Sequence, residues 1–162
     1  MRSVKQFSLT LIAIFSVGMM ITSISNANDK AAKDSSASPL VKIALQGSDQ
    51  MKFDKAEIKV PKGSKVELTL THSGKLPVKV MGHNFVLLKP SVDIAKFSMT
   101  AMQSKDNDYI PKDSKDVIAH TGLVGGGAST TITFDAPAPG TYNFICSFPG
   151  HYAMMKGKFI VE

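Results

Sequence analysis

The chain has 162 residues, 43% of them apolar, a formal net charge of +6 and a single cysteine. That is enough for one domain with a real core and too little for two, and one thiol excludes an internal disulfide framework. The lysines are scattered singly, with no basic cluster interleaved with aromatics, so nucleic acid is not an expected partner.

Taken in chain order, the first segment reads as an address. Arg2 and Lys5 precede a largely apolar run, Leu9 to Ile24, and Ser25-Asn26-Ala27 offers small residues at the −3 and −1 positions of a cleavage site. This is the pattern of a secretory signal peptide over residues 1–27. The apolar run is punctuated by Ser and Thr and falls below the roughly 20 residues a membrane span needs. Export to the periplasm, without stable membrane association after cleavage, is therefore expected. Residues 28–38, NDKAAKDSSAS, are polar and small and read as a disordered tether, which leaves residues 39–162 as the folded domain.

Within that domain, short alternating runs recur between turn residues: Val41 to Leu45, Ala56 to Val60, Lys65 to Thr71, Asn84 to Leu88, Asp116 to Ala119, Thr130 to Phe134, Thr141 to Cys146 and Gly157 to Val161. Many short strands with Gly and Pro turns predict an all-β, antiparallel sandwich or barrel. Ser91 to Gln103 breaks the rhythm: after Pro90 its apolar residues fall partly at helical spacing, which predicts a short helix inserted as a flap. In the last hairpin, period-two alternation puts Tyr142, Phe144 and Cys146 on one face, marked by composition as the core side.

The chemistry concentrates at the end of the chain. Cys146, His151 and Met155 stand at spacing C-x4-H-x3-M, a thiol, an imidazole and a thioether within ten residues. Soft sulfur ligands with imidazole select copper, and a His2Cys set with a weak axial Met belongs to electron-transfer copper sites. A lone cysteine in an oxidising compartment is a liability unless it has such a job. The second histidine must be His72, His83 or His120. Composition alone cannot choose among them, because a lone histidine is more often a hydrogen-bonded structural residue. Local context favours His83, where Gly82 permits close backbone approach and a strand begins at once.

The runs MGHNFV, IAHTGLVGGG and CSFPGHYAMM, in this order, together with LQGSDQMKFD and TITFDAP, closely resemble the azurin family of bacterial cupredoxins over nearly all of Val41 to Glu162. The resemblance implies a Greek-key cupredoxin sandwich and one type 1 copper ion. It makes His83, Cys146 and His151 the equatorial ligands, with Met155 and the Gly82 carbonyl as weak axial groups. Met154 competes for the axial role but is one residue short of the pattern. It further implies backbone N–H bonds from Asn84 and Phe148 to the Cys146 sulfur, and a redox-linked, non-ligating role for His72. His120 matches an exposed histidine. A docking patch of Met51, Met81, Phe148, Pro149, Gly150 and Tyr152 is implied as well. The implied activity is single-electron transfer by a monomer between redox proteins such as c-type cytochromes or periplasmic reductases. Two other classes compete: a copper carrier or buffer without electron turnover, and a thiol enzyme using Cys146 and His151 as nucleophile and base.

Two departures stand out. The positions aligned with the family's disulfide are Val41 and Ser64, and its buried tryptophan position is Phe85, in a chain with no Trp. A bridge closing such a loop contributes about 2–4 kcal/mol, so this domain leans more on bound metal. The copper form is expected to melt well above the metal-free form in calorimetry; equal melting temperatures would refute that dependence.

Overall fold

The computed structural model describes residues 38–162; the expected signal segment 1–27, and all but the last residue of the expected tether 28–38, lie outside the described residues. Among the described residues, nine strands run in order as β1 (Leu40–Ser48), β2 (Lys52–Phe53), β3 (Glu57–Val60), β4 (Lys65–His72), β5 (Val86–Leu88), β6 (Val117–His120), β7 (Ser129–Asp135), β8 (Gly140–Ile145) and β9 (Lys156–Val161). A single helical turn, α1 (Val78–Met81), precedes β5, and α2 (Ile94–Ala101) follows it. They build two sheets, ordered β2-β1-β4-β7 and β3-β9-β8-β5-β6. The expected sandwich is what forms, as two open sheets face to face.

Its core follows from strand alternation. On β4 the residues Val66, Leu68 and Leu70 are fully buried while Glu67, Thr69 and Thr71 between them are not. They meet Leu45, Leu87, Phe144 and Phe159 from the surrounding strands and Phe85 just before β5. Each such side chain removed from water contributes about 1.5–3 kcal/mol. Two pairings depart from a purely antiparallel arrangement: β1 runs parallel to β4, and β3 runs parallel to β9. Alternation specifies which face a residue takes, not the direction of the neighbouring strand.

β5 shows no alternation; Val86, Leu87 and Leu88 are all buried. The flap explains this. Helix α2 lays Phe97 and Ala101 over the outer face of β5, in a second cluster with Val86, Leu88, Ile110 and Ile145. A strand covered on both faces reads as a continuous apolar run. The helix starts later than Ser91 because the Asp93 side chain caps it, accepting from the Lys96 N–H at 3.0 Å.

The topology prepares one end of the sandwich. Strands β8 and β9 pair from Gly140↔Val161 to Ile145↔Lys156, so residues 146–155 form a loop clamped at both ends. Strand β1 pairs with β4 out to Gly47↔His72, which brings the turn after β1 to the same end. Among the described residues, no helix is long and apolar enough to cross a membrane.

Candidate metal centre

Two segments deliver the central groups. His83 lies between α1 and β5 and is held by a reciprocal backbone pair with Val124, N–H to carbonyl at 3.0 and 2.9 Å. Cys146 stands one residue past β8, its N–H donating to the Met155 carbonyl at 2.9 Å across the loop. His151 opens a 3-10 turn over His151–Ala153.

The structure brings these groups together. The donor atoms of His83, Cys146 and His151 all lie within 4.8 Å of one another, and all three residues are buried. Cys146 Sγ is 3.6 Å from His151 Nδ1 and 4.0 Å from His83 Nδ1, and 3.8 Å from the Gly82 carbonyl oxygen. An ion bound about 2.0–2.3 Å from imidazole nitrogen and thiolate sulfur sits among donors about 3.5–4 Å apart. The cluster has those spacings. His83 Nε2 is 2.9 Å from the Ser48 carbonyl oxygen, a contact that places its proton there and leaves Nδ1 as a free donor pair toward the sulfur. Met155 is fully buried and packs with Cys146 and Phe148, whereas Met154 is 55% exposed.

Burial dominates the electrostatics. It pushes the Cys146 thiol up to about 12, against the backbone N–H groups of Asn84 and Phe148, which donate to the sulfur and pull the other way. Burial, reinforced by the neighbouring His83, pushes the His151 imidazole down to about 4; burial also lowers His83. Metal-free, the site therefore holds a protonated thiol and two neutral imidazoles. A cation is what would make a thiolate stable there.

The remaining expected residues are distributed as follows. His72 is fully buried beneath His83, ring centroids 4.3 Å apart, and its Nε2 is 3.4 Å from Asp49 Oδ1 but out of line for a hydrogen bond. The Lys75 N–H, donating to Asp49, holds that carboxyl below its ordinary range. His120 is exposed at the end of β6. Met51 packs with Cys146, Phe148 and Met155, whereas Tyr152 packs with the α2 cluster. Met81 and Pro149 are half-buried and Gly150 is exposed.

Sequence reasoning, which gave Asn84 only a backbone N–H role, missed three supports: the side chains of Asn84 and Ser147, and Gly47. Asn84 and Ser147, one residue beyond His83 and Cys146, clasp each other: the Ser147 N–H donates to Asn84 Oδ1 at 2.8 Å and Asn84 Nδ2 donates to Ser147 Oγ at 2.9 Å. Their signal was a polar side chain inside an apolar run, which buried satisfaction explains. Gly47 is the third. A Cβ there would lie 2.7 Å from His83 Cδ2 and 3.3 Å from Met155 Cε, so only glycine leaves room for both side chains.

A model of copper binding proteins of the plastocyanin/azurin family matches residues 40–162. Azurin from Pseudomonas chlororaphis is 43% identical over 126 residues, covering 75% of this chain and 98% of that protein. Azurin-1 from Alcaligenes xylosoxydans xylosoxydans is 44% identical over 119 residues, covering 71% and 92%. Among solved structures, auracyanin A, a blue copper protein from Chloroflexus aurantiacus, superimposes with a TM-score of 0.70 at 31% identity, covering 76% of this chain and 99% of that one.

Two outcomes are expected. Gly47→Ala should weaken metal binding about 10–100-fold, the usual loss when support around a ligand is disturbed, while circular dichroism stays native; unchanged affinity by competition titration would contradict the packing argument. The metal-free domain should be most stable between the unfolded values of 6.5 for His151 and 9.0 for Cys146. Below that window His151, depressed to about 4, resists the proton that the unfolded chain takes up, so stability falls as pH drops toward 4. Above it the thiol, raised to about 12, resists ionisation, so stability falls as pH rises toward 12. Melting temperatures across pH check both arms.

Proposed function

The chain belongs to the plastocyanin/azurin family of copper-binding proteins and is a blue copper electron-transfer protein, and on that premise we propose that it shuttles single electrons between periplasmic redox proteins. His83, Cys146 and His151 are the strong ligands in this reading, with Met155 and the Gly82 carbonyl as weak ones. The single observation supporting it is the buried convergence of one thiol and two imidazoles beside a buried thioether, at the clamped end of a sandwich.

When bound, copper supplies a one-electron couple between Cu(I) and Cu(II) at a site with soft sulfur and imidazole donors. The chain's own part is to hold those donors still. The β8–β9 clamp, the Ser48 carbonyl on His83 and the Asn84–Ser147 clasp leave the ligands little freedom to rearrange between oxidation states. The N–H groups of Asn84 and Phe148 draw electron density from the sulfur, which raises the reduction potential. His151 is only 3% exposed and the other donors are buried, so no position is open to a substrate, in contrast to catalytic metal sites. Electrons would pass at the surface near His151, where Met51, Met81, Phe148, Pro149, Gly150 and Tyr152 form the docking patch. His72 is the redox-linked group that does not bind metal. The protein acts as a monomer, residues 39–162 form its working domain, and the signal-like start of the chain supports export.

The copper-loaded protein should be intensely blue from a thiolate-to-copper band, and Cys146→Ser should abolish that band while leaving a folded domain. A colourless Cu(II) form of the unaltered protein would refute the assignment.

A further inference from the structure

Beside the expected docking patch, and sharing only Phe148 with it, lies a groove of about 340 Å³. Val78, Leu123, Phe148 and Tyr109 give it apolar walls, Lys79 and Lys105 line it with cations, and Asp108 adds one carboxylate. We propose that this groove seats an acidic redox protein, its carboxylates meeting Lys79 and Lys105 and an apolar side chain filling the space between them. The proposal rests on the electron-carrier reading above.

Three observations carry it. First, Lys75 to Val80 is exposed throughout, and Leu76, Val78 and Val80 stand 38%, 37% and 59% exposed, an apolar ridge beside the groove. Exposed apolar surface concentrated in this way marks an interaction site. Second, the cations are free. Like most lysines among the described residues, and unlike Lys42, Lys55, Lys59 and Lys65, Lys79 and Lys105 pair with no carboxylate. Asp108 does not quench them: no lysine lies within ion-pair distance of it, and its Oδ2 would be 3.2 Å from a Cβ on Gly122, turned toward that glycine. The groove thus keeps a positive balance that attracts an acidic surface and repels a basic one.

Third, the groove is built and connected. A Cβ on Gly125 would lie 2.6 Å from the Val78 N, so the loop after β6 is pressed onto the segment carrying Val78 and Lys79. From the Tyr109 wall, rings follow in contact: Tyr109 to Phe148 at 5.2 Å, then Phe148 to His151 at 4.6 Å. A partner seated against Tyr109 lies two ring contacts from His151. A single electron would leave the partner's reduced centre and reduce Cu(II) to Cu(I), with no bond made or broken.

The test separates docking from electron transfer. The copper(I)-loaded protein, labelled with 15N, is titrated at low ionic strength with hexacyanochromate(III), a redox-inert paramagnetic trianion, and separately with an acidic b-type cytochrome. Both should perturb the amides of Val78, Lys79, Lys105, Tyr109 and Leu123 first. K79E/K105E should weaken both effects about tenfold, in the range of electrostatic steering, and K62E should leave them unchanged. A strongly basic c-type cytochrome should leave the groove unperturbed. Broadening spread evenly over exposed lysines, a footprint of the acidic cytochrome elsewhere, or binding of the small trianion alone would overturn the proposal. The blue band of the same protein after oxidation to Cu(II), and its potential, report the copper reading independently: if they are absent while the footprint persists, the carrier reading fails and only the groove's binding of acidic proteins stands.

Discussion

The site depends on a clasp between two side chains that bind no metal. Asn84 follows His83 and Ser147 follows Cys146, and the two are bonded in both directions through backbone and side chain. The clasp extends to a third segment: Asn84 Nδ2 also donates to the Asp108 carbonyl, and Ser147 Oγ donates to the Tyr109 carbonyl, at 2.9 and 2.8 Å. Because these groups are buried, losing one partner strands the other away from water at a cost of about 1–3 kcal/mol. The network therefore fixes the distance between the strand-end thiol and the imidazole from the other segment.

Around that fixed distance the domain resolves a conflict. A soft thiol donor must be shielded from oxidants, yet burial drives its pKa to about 12 and disfavours the thiolate a metal needs. Two backbone N–H groups partly offset the burial, and a bound cation would complete the reversal. The neighbouring imidazoles are pushed the opposite way by the same burial, which keeps them neutral and able to donate at ordinary pH. One physical cause thus prepares all three groups, and the price is a metal-free domain carrying a thiol it cannot easily ionise.

Much of the architecture was legible in composition and spacing. The alternation of Val66, Leu68 and Leu70 predicts β4, and the Pro90 break with its mixed spacing predicts a helix where α2 forms. Other elements carry no such signal. β2 is two residues long and α1 is four with no buried residue, so neither repeats its period. The parallel pairing of β1 with β4 is equally invisible, since an alternating strand faces the core whichever way its neighbour runs.

The ten residues of the ligand loop, Cys146 to Met155, were enough to identify the donor chemistry, because C-x4-H-x3-M places thiol, imidazole and thioether on one short segment whatever the rest of the chain does. The partner imidazole was open on composition alone, and local context with family resemblance favoured His83. Folding brings it to the sulfur through a separate segment, sixty-three positions away in the chain. The same holds for Gly47, whose missing Cβ makes room for His83 and Met155, and for the groove between Val78 and Phe148. Spacing along a chain encodes which groups can be neighbours within one element, whereas contacts between elements depend on how whole sheets pack. That packing is a sum over the core and is written in no single motif.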